Sequence, residues 1–397
     1  RDMFSKATHP DRVYAGVFWQ VVPGDDDDCT EIPVQVPVGH VRSITVHPRE
    51  SKGACWARSR ILTELRGDED YVLQIDSHMR FVAGWDEKML SMLQRCDTPR
   101  ALLSTYPIEY KPPDERAAPS IPVMTARKFN HRGILMPLAR ALDYSQRPSK
   151  PLANPFLSAG FLFGPAAAFD EVPYDPHLYF IGEEISLAAR LWTHGWNVYS
   201  PDDVLIYHFY GQPKARPRHW ADNPDWVALD NDSFLRLRHL FGIERTSQAA
   251  ALIDLQRYGL GTARTLEEFE HYADVDLRRQ TIGAAGACGH FPAHHEVQTQ
   301  NLCRVFEKIY QANTWQSLET RSGMSSTLIA TANMRGALAK KMEELQVRTL
   351  VDAGCGDVNW MAPVSSHLDL YFGIDIVHAL IAHNLRLAGQ RPGHFFA

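Results

Sequence analysis

Apolar strand patterns and amphipathic helix patterns take turns through the first hundred residues, and this alternation limits the chain to few architectures. Val13 to Val22 is a strongly apolar strand pattern. In "SKGACWARSRILTEL", Ala54, Ala57, Ile61 and Leu65 fall on one helical stripe. "GDED" stops that helix, and Tyr71 to Asp76 reads as a second strand. "DEKMLSMLQRC" is again amphipathic, and "ALLSTYP" again a strand. Strands that alternate with helices of this length predict an α/β fold with a mainly parallel sheet and flanking helices.

Beyond residue 108 the pattern changes. Residues Glu109 to Pro155 are rich in proline, arginine and lysine and read as long loops or a β excursion. "FLSAGFLFG" reads as a buried strand or turn. "GEEISLAARLWTHGWNVYSPDDVLIYHFYG" reads as a helix stopped at Gly195, a strand, Pro201 and another strand. From Gln212 to about Phe291 the chain is polar and helical, and "ACGHFPAHHEVQTQ" is a linker candidate. The expected organisation is a first domain over 1–290, a linker over 291–300 and a second domain over 301–397. The opening "RDMFSKATHPDRVYAGVFWQVV" reads as the end of a helix, a turn and a strand, and "GHFFA" as a strand beginning, so further sequence is expected on both sides.

The strand Tyr71 to Asp76 ends in Asp76-Ser77-His78. Open α/β sheets bind ligands at the carboxyl ends of their strands. A carboxylate and an imidazole two residues apart in an extended turn can face one ion. Such an O/N pair suits Mn²⁺, whereas Mg²⁺ prefers oxygen alone. A later strand pattern, Val204 to Tyr207, also ends in a histidine, His208, a third candidate ligand. A polar turn and a satisfied core histidine would explain the same residues without a metal. Glu183 and Glu184 start a helix, where the dipole favours negative charge; the alternative is a carboxylate aimed into a cleft.

"KGACWARSRILTELRGDEDYVLQIDSHMRFVAGWDEKML" resembles the donor half of GT-A glycosyltransferases, and Asp-Ser-His is the form found in polypeptide N-acetylgalactosaminyltransferases. With "HPDRVYAGVFWQ", "GEEISLAARLWTHGW" and "HFYG" added, the chain is similar to the cytoplasmic hydroxyproline N-acetylglucosaminyltransferases and their bacterial relatives, over roughly residues 1 to 280. The eukaryotic members modify a ubiquitin-ligase adaptor subunit. The resemblance implies a metal site of Asp76, His78 and His208. It places Arg58 on the donor-side helix and Ala159-Gly160-Phe161 in a small-residue turn against the donor sugar. Glu183 and Glu184 become the acidic pair on the acceptor side. The family's first strand has no counterpart, which leaves the uridine contacts unassigned, with Phe18, Trp19 and Gln20 as neighbours. The implied reaction is metal-dependent transfer of N-acetylglucosamine from UDP-GlcNAc to a protein, peptide or glycan hydroxyl, with retention of configuration. A divalent cation would stabilise the departing diphosphate, and a carboxylate near the acceptor could take its proton.

"TLVDAGCGDVNW", followed by "YFGIDIV", has a strand, a Gly-x-Gly turn and a second strand ending in an acid, a nucleotide-binding layout. It resembles the start of class I S-adenosylmethionine-dependent methyltransferases over residues 301 to 397. That resemblance puts Gly354 and Gly356 at the methionine side and Asp375 on the ribose, with Asp352 as the upstream acid of the cofactor site, in a partial second Rossmann-like domain. A structural glycine turn is the plainer alternative.

Composition narrows the class further. A net charge of −6 without a basic arm argues against a nucleic-acid partner. Six scattered cysteines without a Cys-x-x-Cys pair fit a reducing, cytoplasmic setting better than a disulfide scaffold. No run is long and apolar enough to span a membrane, and no signal peptide is legible. Two other readings compete with the transferase: a metal-dependent nucleotide-sugar hydrolase, and a non-catalytic scaffold that binds a nucleotide or glycan. Oligomeric state is not legible.

Overall fold

The computed structural model describes residues 1–32, 36–211, 221, 223–388 and 393–396. The chain divides into two compact units, Arg1–His294 and His295–Ala397. A helix over His294–Ala312 occupies most of the segment expected to be a linker.

In the first unit, α1 (Asp2–Lys6) precedes β1 (Ala15–Gln20), which pairs in parallel with β2 (Val41–Val46). Then come α2 (Ala54–Arg60), extended by a π turn over Ile61–Leu65, β3 (Tyr71–Ile75), β4 (Met79–Phe81), α3 (Trp85–Gln94) and β5 (Ala101–Ser104). Of these, β1, α2, β3, α3 and β5 lie where the alternating pattern puts them, whereas β2 and β4 are strands it does not mark. The Glu109–Pro155 region is a β excursion: β6 (Ile108–Lys111), β7 (Glu115–Arg116), the long hairpin β8 (Ser120–Phe129) with β9 (Leu135–Asp143), and β10 (Leu152–Asn154). Next are β11 (Phe161–Pro165), α4 (Ala166–Glu171), α5 (Glu183–Thr193), β12 (Asn197–Ser200) and β13 (Ile206–His208). The polar stretch that follows holds helices over Trp226–Leu240, Ala249–Leu252, Leu266–Ala273 and Ala284–Cys288, and a short hairpin of Val275–Asp276 with Thr281–Ile282. The basic, aromatic stretch "KARPRHW" lies outside the described residues.

The central sheet has the order β10-β12-β5-β11-β3. It is not mainly parallel. Only β12 and β5 run in parallel; the other three pairings are antiparallel. The reason is the excursion. A parallel neighbour needs a crossover, usually helical, but residues 108–154 return through hairpins and deliver β11 reversed between β3 and β5. β5 is buried along its whole length, as its unbroken apolar run requires for a strand covered on both faces. Met79, Phe81, Trp85, Met89, Leu103, Phe161 and Phe163 form one core between α3 and the sheet. A second sheet, β4-β13-β6-β7, carries the carboxyl end of β13 to the site.

In the second unit, β16 (Thr349–Ala353), β17 (Leu370–Ile374) and β18 (His394–Phe396) form a parallel sheet in that order, numbered after β14 and β15 of the short hairpin. Parallel strands linked by helices are the arrangement the glycine turn predicts. Among the described residues no helix is long and apolar enough to cross a membrane.

Candidate active site

Strand register brings the first site residues together. β13 pairs antiparallel with β4, with His208 opposite Met79, one residue after His78. The Phe209 amide donates to the His78 carbonyl at 3.2 Å and extends the ladder. His208 Nε2 therefore lies 3.9 Å from Asp76 Oδ2. His78 has φ +57°, a left-handed conformation uncommon for a side-chain-bearing residue. Its ring centroid is 6.2 Å from that of His208, and its Nε2 sits 2.7 Å from Ser77 Oγ.

This geometry fits a divalent cation in part. Asp76 and His208 converge from two strands, a carboxylate and an imidazole of the kind that bind Mn²⁺. Cations of this class take few protein ligands and complete their shell with substrate phosphates and water. His78 is beside them, but as placed its Nε2 faces Ser77.

Asp76 is held from behind. The Arg58 guanidinium, on α2, donates to Asp76 Oδ1 at 2.8 Å and to Glu183 Oε1 at 2.5 Å. Burial alone would lower the proton affinity of Arg58; Glu183, Tyr174 and Asp76 outweigh it and hold the group well above its usual value. Glu183 is 5% exposed and also accepts from Cys55 Sγ at 3.0 Å and the Tyr174 hydroxyl at 3.3 Å. Burial, then the Glu183 carboxylate, push the Cys55 thiol well up, so it stays a donor. Arg58 is thus a clamp joining the acid of the Asp-Ser-His turn to the start of α5.

Glu184 has different partners. It accepts from the Tyr106 hydroxyl, at the end of β5, and from the Ala159 amide at 2.9 Å. Burial raises its carboxyl to about 7, against the opposing pull of these two hydrogen bonds. The two adjacent acids therefore differ in role: Glu183 is locked in an ion pair, while Glu184 is poised near neutrality.

The Ala159-Gly160 turn links Glu184 to Asp76. A Cβ on Gly160 would lie 3.0 Å from Asp76 Oδ2, the oxygen facing His208. Gly160→Ala is expected to fold but to displace that oxygen by a few tenths of an ångström. Activity should fall about 10-fold, since misplacement by ~1 Å can cost ~100-fold; steady-state kinetics beside a thermal melt would check it. Phe161, by contrast, is 1% exposed in the core.

A cleft of about 910 Å³ opens beside Asp76, Ser77 and His78, lined also by Phe18 and Gln20 of β1, by Arg58 and by one edge of β3. Trp19 does not line it.

Sequence inspection missed Cys55, Tyr106 and Tyr174. Tyr106 follows an apolar strand as Asp76 does, so the strand-end rule that flagged Asp76 applied to it as well. Cys55 and Tyr174 carried no such signal, because their role comes from burial beside Glu183.

In the second unit, Gly354 and Gly356 have φ +83° and +57°. Both lie in the left-handed region that favours glycine, and a Cβ on Gly356 would also lie 2.2 Å from Ser322 Oγ. Asp375 accepts from the Gly356 amide and from the Val377 amide, each at 2.9 Å. Asp352 accepts from the Tyr371 hydroxyl at 2.6 Å. Asp375 thus braces the turn while Asp352 ties β16 to β17, and a ribose at Asp375 would have to share an oxygen already in use.

A search of curated proteins finds no match to the chain. A family model described as Glycosyltransferase (GlcNAc) matches residues 35–279. That span covers more than half of the chain and contains Arg58, Asp76, His78, Gly160, Glu183, Glu184 and His208, and on this evidence the chain belongs to the Glycosyltransferase (GlcNAc) family.

Proposed function

We propose that the first unit transfers N-acetylglucosamine from UDP-GlcNAc to a protein or glycan hydroxyl, with a divalent cation, Mn²⁺ or Mg²⁺, held by Asp76 and His208 and, once turned from Ser77, His78. The observation that carries this reading is the Asp76 carboxylate, anchored by Arg58 and facing His208 across 3.9 Å beside a cleft large enough for a nucleotide sugar. The cation supplies charge neutralisation for the leaving diphosphate. Arg58 keeps Asp76 aimed, and Phe18 and Gln20 lie where the base of the nucleotide can enter. Glu184, rather than Glu183, is the acceptor-side acid: its carboxyl sits near 7, where a base works best at neutral pH. The second unit, on its glycine turn, is read as a nucleoside-binding domain of S-adenosylmethionine type.

The test is release of UDP from a panel of UDP-sugars with Mn²⁺, with and without peptide and glycan acceptors. Release that depends on acceptor supports transfer; equal release without acceptor indicates a hydrolase; none indicates a binding protein. Glu184→Gln should lower transfer about 100-fold, within the usual range for a general base, and flatten the rise of rate through pH ~7.

Stability gives a second readout. The ordinary glutamate value is 4.5 and the folded value about 7, so the folded chain takes up the extra proton between them. That stabilisation is full below 4.5 and is lost as pH rises through about 7. Relative to Glu184→Gln, the native chain should therefore lose at most about 3 kcal/mol across this window, less for the part of the carboxyl that water reaches. Urea midpoints at a series of pH values would measure it.

A further inference from the structure

We propose that Cys303, Glu307 and His378 of the second unit form a zinc site. Cys303 and Glu307 stand four residues apart on one face of the His294–Ala312 helix. His378 opens the His378–Ala388 helix, just past the carboxyl end of β17. One donor atom from each lies within 4.8 Å of the other two.

The distances carry the argument. His378 Nδ1 is 3.5 Å from Cys303 Sγ and 3.4 Å from Glu307 Oε1. Zn–S bonds of about 2.3 Å and Zn–N and Zn–O bonds of about 2.0–2.1 Å at tetrahedral angles give ligand-to-ligand edges of about 3.5 and 3.4 Å. A direct imidazole–carboxylate hydrogen bond would be shorter, at about 2.9 Å. The donor set is sulfur, nitrogen and oxygen, which suits zinc and excludes Mg²⁺ or Ca²⁺ as the preferred ion. Charge agrees: a thiolate and a carboxylate neutralise the ion, and Asp375 adds to the negative field at Cys303 while Arg304 opposes it. His378 is exposed, so the fourth position is open to water.

The Cys303 thiol donates to the Ile376 carbonyl at 2.9 Å. Metal binding would displace the proton to solvent as the Zn–S bond forms, so affinity should rise with pH. The bound ion would fasten the helix of Cys303 to the end of β17, beside the Asp375–Gly356 turn.

Cobalt(II) tests this on the full chain, because only thiolate ligation produces a sulfur-to-cobalt charge-transfer band, and the Asp76 site contains no thiolate. The metal-free chain should develop the band at one equivalent of Co²⁺ and lose it when Zn²⁺ is added. Asp76→Ala should keep it. Cys303→Ser should abolish it, and Glu307→Gln and His378→Ala should each weaken Co²⁺ binding by at least about 10-fold. Should Cys303→Ser fail to fold, His378→Ala, at an exposed position, carries the test alone. The proposal is overturned by absence of the band in the native chain. It is equally overturned by a band that survives Cys303→Ser, which would place the ligand elsewhere, as at Cys288 with its His290 neighbour 3.4 Å away. Unchanged Co²⁺ affinity in His378→Ala would also sink it. None of these outcomes depends on sugar transfer.

Discussion

Asp76→Ala is expected to reduce acceptor-dependent UDP release at least about 1000-fold while leaving the melting temperature within a few degrees of the native value. The size follows from the charge the carboxylate manages. A cation at a leaving diphosphate contributes several kcal/mol to the transition state, and each ~1.4 kcal/mol is tenfold in rate. The fold should survive because Asp76 is 43% exposed and Arg58 keeps its second partner, Glu183. His208→Ala should follow the same course with a smaller loss. Mn²⁺ titration of each variant, read by calorimetry with UDP present, separates a binding defect from a chemical one. If Asp76→Ala turned over at the native rate, the carboxylate would have no part in the reaction.

Arg58→Ala should act mainly on stability, and strongly. It leaves the 5% exposed Glu183 carboxylate facing only a thiol and a phenol. Breaking a buried ion pair from one side typically costs about 3–5 kcal/mol. Arg58→Lys should recover little, because one ammonium cannot reproduce the two-pronged contact to Glu183 and Asp76. The informative combination is Arg58→Ala with Glu183→Gln. Removing the orphaned charge should restore much of the lost stability, yet transfer should remain low because Asp76 has lost its anchor. Denaturant midpoints and turnover of the two single variants and the double variant would test this. Recovery of both properties together would mean that Arg58 only supports the fold and does not aim Asp76.

Glu183 and Glu184 show where local reasoning ends. Helix-dipole and spacing arguments mark both as acids at a helix start and suggest that adjacent side chains diverge. They do diverge, but the partners that separate their roles come from three distant places: Cys55 and Arg58 on α2, Tyr106, and Ala159. The central sheet gives a parallel case. Its strands are legible one by one from their apolar runs, whereas their directions are not, because direction depends on how the 108–154 excursion returns the chain to the sheet.

What the sequence by itself determined is local: which segments are strands or helices, that an acid and a histidine end one strand and a histidine another, and that a glycine turn follows β16. These follow from period and backbone sterics, which act over a few residues. Tertiary structure alone decided that His208 would come to rest beside Asp76, that Arg58 would be a clamp, and that Cys303, Glu307 and His378 would meet. Those outcomes rest on strand register and on burial. Both are set by contacts between residues far apart in the chain, where a shift of one position turns every side chain to the opposite face.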